Sequence, residues 1–248
     1  MARTKAKKPE VTEKIQHDVS NNPKRPIKFN IELNEEQKEA KRLILAHQIT
    51  VLTGGAGSGK TLVAVQTALD LLFKKDIKKI WITRPNVTKE DYGFLPGDLK
   101  DKMDPLLIPI YDNLNQCYDE NIIKKLVENK SIDIAPIAYI RGRTIDDSVL
   151  IIDETQNIDD DMAEALLTRL GKHGKVILTG DAKQIDLKNK RYSGINGVIK
   201  LAIEDPDMAY IDLKANHRSP LVLRVIEFYE KRRQEKETEE KTKKVLKG

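Results

Sequence analysis

Cysteine is nearly absent from this chain of 248 residues, with Cys117 standing alone. One thiol excludes an internal disulfide framework and a cysteine-built zinc site, and it fits the reducing conditions of a cytoplasm. Aromatic residues make up 5%, with one tryptophan, so platforms for stacking bases are sparse. Trp81 falls inside an expected strand and reads as core. No apolar run approaches the roughly eighteen residues of a membrane span. No basic start, apolar centre and small-residue cleavage site combine into a secretory leader. Internal repeats and low-complexity tracts are missing as well.

Charge is abundant, at 33% of residues with a formal net charge of +5. The first thirty residues hold that whole excess, eight Lys or Arg against three acids, and the rest of the chain balances. Residues 1–32 therefore read as a basic, disordered arm. Such an arm can contact nucleic-acid phosphates, or be an ordinary solvated terminus. The length suits one sizeable α/β core with tails.

Short β-rich bursts at 49–52, 80–83, 149–153 and 176–179 are bounded by Gly, Pro or Asp. Weaker ones follow at 132–135 and 209–213. Helical patterns occupy 34–47, 61–73, 106–118, 122–128, 160–170 and 195–203. This alternation implies a parallel sheet with helices on both faces. Residues 33–220 form the expected domain. Beyond them, 221–248 reads as an exposed, charged C-terminal helix whose Glu, Lys and Arg residues can pair at i,i+4.

Gly54, Gly55, Ala56, Gly57, Ser58, Gly59, Lys60 and Thr61 follow the first strand and open a helix. That is the context a phosphate-cradling loop requires. Glycines let backbone N–H groups turn inward around a polyphosphate, and the helix N-terminus adds its positive end. Lys60 would reach the β- and γ-phosphates, and the Thr61 hydroxyl would take a position on Mg2+. The apolar strand ending in Asp153 and Glu154 places one acid beside that metal and a second to orient or deprotonate an attacking water. A plain helix cap is the rival reading of those acids. Gln184, after the strand ending in Gly180 and Asp181, is the candidate sensor of the γ-phosphate.

Together these residues resemble the PhoH-like family of ATPases, which is related to the motor core of superfamily 1 helicases. The resemblance rests on Leu33-Asn34-Glu35-Glu36-Gln37, the phosphate loop, Thr83-Arg84-Pro85 and Gly93-Phe94-Leu95-Pro96-Gly97-Asp98. It extends through Ala138-Tyr139-Ile140-Arg141-Gly142-Arg143-Thr144, Asp153-Glu154-Thr155-Gln156-Asn157, Leu167-Thr168-Arg169-Leu170-Gly171 and Thr179-Gly180-Asp181 with Gln184-Ile185-Asp186. It implies a single RecA-like P-loop NTPase domain, with Gln37 on the adenine edge and hence ATP as the nucleotide. It also implies single-stranded nucleic acid, RNA favoured, as partner, with Arg84 and Pro85 on the polynucleotide side. A homo-oligomer, a six-membered ring, would let one subunit lend an arginine to the next. Arg218 is the first choice for that arginine, then Arg141 and Arg143, which could equally grip RNA phosphates or form surface ion pairs.

Thr155 stands where the family commonly has alanine. No fused RNA-binding or nuclease domain is recognisable, so cleavage is not expected. The expectation is an ATPase coupled to nucleic acid. Its rival is a nucleotide-driven assembly switch in which ATP orders the 93–98 segment. A small-molecule kinase is disfavoured by Glu154 and Gln184.

Overall fold

The computed structural model describes residues 27–85, 99–182, 184 and 193–245. The basic arm up to residue 26, the 93–98 motif, Ile185 and Asp186 lie outside the described residues.

Elements alternate as expected. Helix α1 (Glu35–Ala46) leads to β1 (Ile49–Gly54), α2 (Lys60–Phe73) and β2 (Lys79–Thr83). Next come α3 (Leu99–Cys117), α4 (Glu120–Glu128), β3 (Ile132–Ile134) and the short α5 (Ile137–Ile140). Then follow β4 (Ser148–Ile152), a 3₁₀ turn (Thr155–Asn157), α6 (Asp160–Leu167), β5 (Lys175–Gly180), α7 (Gly194–Glu204), β6 (Met208–Leu213) and α8 (Pro220–Val245). The six strands form one sheet in the order β3-β2-β4-β5-β1-β6, and every pairing is parallel.

Alternate residues of each central strand feed two separate cores. Leu52, Ile80, Ile82, Val149, Ile151 and Ile177 pack beneath α1 to α4. Val51, Trp81, Leu150, Ile152, Val176 and Leu178 pack against α5, α6 and α7 on the other face. Strands buried on both faces read as unbroken apolar runs, which is why Val149 to Ile152 carries no polar residue. The architecture is the α/β, RecA-like P-loop arrangement, and Trp81 is core, 7% exposed.

Three boundaries differ from expectation. Helix α3 begins at Leu99 and runs through Pro105 and Pro109. An interior proline costs about 3 kcal/mol. Burial of Leu107, Ile110 and Leu114 on one stripe, at about 1.5–3 kcal/mol each, offsets it. Helix α6 stops at Leu167, short of Leu170, because Leu170 bridges Ile145 and Arg169 O accepts a hydrogen bond from Ile145 N. Within the expected arm, Phe29 packs edge-on against Tyr118 and Asn30 N donates to Cys117 O, so chain from residue 29 lies on the domain.

Candidate nucleotide site

Parallel strands end together, and the loops after β1, β2, β4 and β5 share one rim. The phosphate loop leaves β1 with Gly57 at φ 87° and Gly59 at φ 85°, a region that favours glycine. A side chain on Gly57 would strike Arg218, and one on Gly59 would strike Gln37. Gly59 caps α2 without a side-chain hydrogen bond, so the first-turn N–H groups stay available to an anion. Lys60 Nζ donates to Gly54 O at 2.7 Å and Gly55 O at 3.0 Å. Burial pulls its ammonium below the usual lysine range, opposed by the carboxylates of Asp181, Glu154, Asp153 and Asp212.

Thr61 Oγ1 donates to Asp153 Oδ1 at 2.9 Å, joining the start of α2 to the end of β4. Thr179 Oγ1, from β5, donates to the same carboxylate oxygen at 2.5 Å. Asp153 is 5% exposed, and its N–H donates to Thr83 O. Among the described residues no group of three or more His, Cys, Asp or Glu is arranged as a complete metal cage. A hydroxyl beside one carboxylate fits Mg2+, which takes one or two protein oxygens and fills its octahedron with phosphate oxygens and water.

Glu154 adopts a left-handed backbone, φ 54° and ψ 41°, which costs a non-glycine residue of order 1–2 kcal/mol. Its Oε1 accepts from Arg84 Nη2 at 3.0 Å and its Oε2 from Gln156 Nε2 at 2.5 Å. Gln156 is 1% exposed, and its Oε1 accepts from Asp181 N at 3.0 Å. Glu154 and Asp181 border a cavity of about 260 Å³ that Gly57, Lys60, Thr61, Asp153, Gln184 and Arg218 help to line, whereas Arg84 and Gln156 stand behind its wall.

A P-loop with an acid pair at the end of another strand of the same sheet is common to many NTPases, so membership rests on the whole chain. The model of the family described as PhoH-like protein matches residues 31–230. The chain belongs to the PhoH-like family. It is 45% identical over 181 residues to the PhoH-like protein of Bacillus subtilis, covering 72% of this chain and 57% of that relative. It is 39% identical over 198 residues to the PhoH-like protein of Synechocystis, covering 79% and 60%. The chain thus spans a little over half the length of these curated relatives. Among solved structures it is similar to the UvsW helicase of bacteriophage T4, with TM-score 0.45 and 13% identity over 82% of this chain and 67% of that one.

In this PhoH-like chain the expected site residues fall into three groups. The loop residues, Asp153, Glu154, Gln184 and Arg218 meet at the cavity. Gln184 is exposed there, and its N–H closes a turn onto Asp181 O. Arg218, expected as an arginine lent to a neighbour, lies over its own chain's loop at Gly57 in this single chain. The segment carrying it is strapped down: His217 N donates to Gly57 O, and Asn216 Nδ2 donates to Ala56 O at 3.1 Å. Glu36 accepts from the N–H groups of Lys214 and Ala215, which hold its carboxyl below the usual range.

Gln37 is 3% exposed, and its carboxamide binds within the protein. Oε1 accepts from Asn34 N, completing a capping box, and Nε2 donates to Ser58 O at 3.3 Å. It braces the loop, with the His217 ring nitrogen 3.2 Å away. Arg84, expected on the polynucleotide side, turns in to the acid pair.

Arg141 and Arg143 are exposed and outside the cavity. The Arg143 guanidinium stacks 4.8 Å from the Trp81 ring, and its Nε donates to Tyr139 O. Sequence reasoning missed Gln156 as a site residue, though it lies two positions beyond Glu154 in the same box. Its partner Asp181 N comes from another strand, and no local pattern reveals that.

Proposed function

We propose that this P-loop NTPase hydrolyses ATP with Mg2+ and couples turnover to single-stranded nucleic acid, with RNA favoured. The Thr61–Asp153 hydrogen bond carries the reading, because it sets a hydroxyl and a carboxylate side by side at the phosphate-loop helix with Glu154 adjoining. The loop amides and Lys60 hold the β- and γ-phosphates. Thr61 and Asp153 hold Mg2+, directly or through its waters, and the ion supplies neutralisation of charge on the phosphate oxygens. Glu154 orients the attacking water and accepts its proton, and Gln184 touches the γ-phosphate or that water.

Arg218 lies over its own loop and in this reading meets charge developing on the nucleotide of its own chain. Arg141 and Arg143, exposed outside the cavity, meet a polymer or a neighbouring subunit in a six-membered ring. Gln37 selects adenine if its carboxamide turns outward from Ser58. Among the described residues no helix is long and apolar enough to cross a membrane. A single buried thiol suits a reducing cytoplasm.

A second reading has its own support. The strap at Asn216 and His217 ends three residues before the start of α8, whose first turns expose Leu221, Val225, Phe228 and Tyr229. Movement of the loop would shift that apolar face, as a nucleotide-driven assembly switch requires. Steady-state ATPase measured against single-stranded RNA, single-stranded DNA and duplex at two salt concentrations separates the two, with Glu154→Gln as blank. Stimulation by one polymer that fades with salt supports the coupled ATPase. A flat response with real basal turnover supports the switch.

A further inference from the structure

A carboxylate that accepts a proton from water must turn an oxygen lone pair to that water, so what fixes its orientation governs whether it can act. Both oxygens of Glu154 are engaged, one by the Arg84 guanidinium and one by the Gln156 carboxamide. The Arg84 contact is a full ion pair, supplemented by Nη1 at 3.8 Å from Asp153 Oδ2. Arg84 is not among the residues that line the nucleotide cavity. It comes from the end of β2 and approaches Glu154 from outside the cavity, with 24% of its side chain exposed. A second anion can therefore compete for this guanidinium without entering the nucleotide site.

Phosphodiester oxygens match a guanidinium fork as well as a carboxylate does. We propose that Arg84 is a clamp on the general base. It holds Glu154 in an unproductive ion pair, and a phosphodiester of a bound single strand draws the guanidinium away and frees the carboxylate for water. This rests on the ATPase reading above and deepens it by naming the residue through which polymer reaches turnover. Gln156 extends the linkage. Its Oε1 holds Asp181 N, so a shift of Glu154 passes to the turn that carries Gln184. Arg84 acts as a positioning residue, working through Glu154.

The test uses the full chain with Arg84→Ala, Arg84→Lys, Glu154→Gln and the Arg84→Ala/Glu154→Gln double variant. ATPase assays without polymer should show kcat of Arg84→Ala raised by roughly five- to tenfold, as expected for loss of a partly exposed ion pair. KM for ATP should change little, and stimulation by oligouridine should disappear. Anisotropy of a labelled uridine oligomer without nucleotide gives a readout independent of turnover. There Arg84→Ala should weaken binding and flatten the log–log salt slope by about 0.7, one single-strand phosphate contact.

Glu154→Gln should tighten polymer binding several-fold by releasing Arg84, and the double variant should bind as Arg84→Ala does. Arg84→Lys, which keeps the charge, should retain part of the polymer response, and it replaces the alanine variant if that fails to fold. A fall in polymer-free kcat for folded Arg84→Ala would overturn the clamp, because Arg84 would then serve the reaction itself. Unaltered polymer affinity in both single variants would overturn it as well. A wild-type protein with no ATPase activity would sink the proposed function instead, and the anisotropy series would then decide the clamp alone.

Discussion

Lys60 and Glu154 line one cavity, yet the protein satisfies them in different ways. Lys60 gives its hydrogen bonds to neutral carbonyls of its own loop, at Gly54 and Gly55. Glu154 faces a full positive charge on Arg84. Exchanging a carbonyl for a phosphate oxygen creates an ion pair for Lys60, whereas freeing Glu154 breaks one. In the proposed cycle, the loop wall is thus built to take up nucleotide readily, and the acid wall resists until its arginine is drawn off. In that cycle one cavity separates binding from commitment.

Lys60→Ala strikes the loop wall and carries the largest expected effect, about a thousandfold loss in kcat/KM for ATP with weakened nucleotide binding. Glu154→Gln strikes the acid wall and should lower kcat by about 10²–10⁴ while ATP binding survives. Isothermal titration with ATP distinguishes them, and equal loss of affinity in both variants would erase the distinction between the walls. Asn216→Ala unfastens the strap on Ala56 and removes the acceptor of Arg218 N, so it should raise KM several-fold with a smaller fall in kcat.

The phosphate loop and the acid pair were legible because each is a run of adjacent residues whose chemistry needs only a strand before it. The two-faced sheet was legible for a similar reason, since apolar bursts and helical patterns alternate along the chain. What was hidden depends on register between distant strands. Arg84 turns toward Glu154 because Thr83 stands beside Ile152 in the β2–β4 pairing. Arg218 covers its own loop because Gly54 pairs with Leu213, which delivers the 214–218 segment to that rim. The end of α6 was misplaced for the same kind of reason, since Leu170 is claimed by Ile145 across the fold.

Smaller effects sharpen the comparison from behind the loop wall. Asp70, on the buried side of α2, pairs with Lys41 at 2.6 Å and Lys74 at 3.0 Å. Burial alone would raise its pKa, but the two lysines outweigh that and hold the carboxyl below its usual range. Asp70→Asn should cost about 1–3 kcal/mol at neutral pH, read as a lower Tm, without altering kcat. A depressed carboxylate contributes above its unfolded pKa of about 3.9 and loses that contribution as pH falls through the folded value. The Tm gap between wild type and variant should therefore close in acid. A gap that widens there would contradict the assignment.

Cys117 carries the smallest expected effect. Burial pushes its thiol up to about 12, and it sits 3.9 Å from Leu62 O in the first turn of α2. A thiol reagent at mild alkaline pH should leave it untouched until the protein unfolds. Labelling of the native chain would show that the α2–α3 contact opens on its own.

The strand order also sets a timetable. In β1, Ile49 pairs with Val176 on one side and Met208 on the other, so both neighbours of the phosphate-loop strand are translated long after it. A nascent chain leaving the ribosome carries Gly54 to Thr61 early but cannot clamp that loop until β5, β6 and the strap have emerged. Such long-range pairing is slow to form and leaves strand edges open to wrong partners. Truncation before Met208 would therefore leave an aggregation-prone fragment rather than a weaker enzyme.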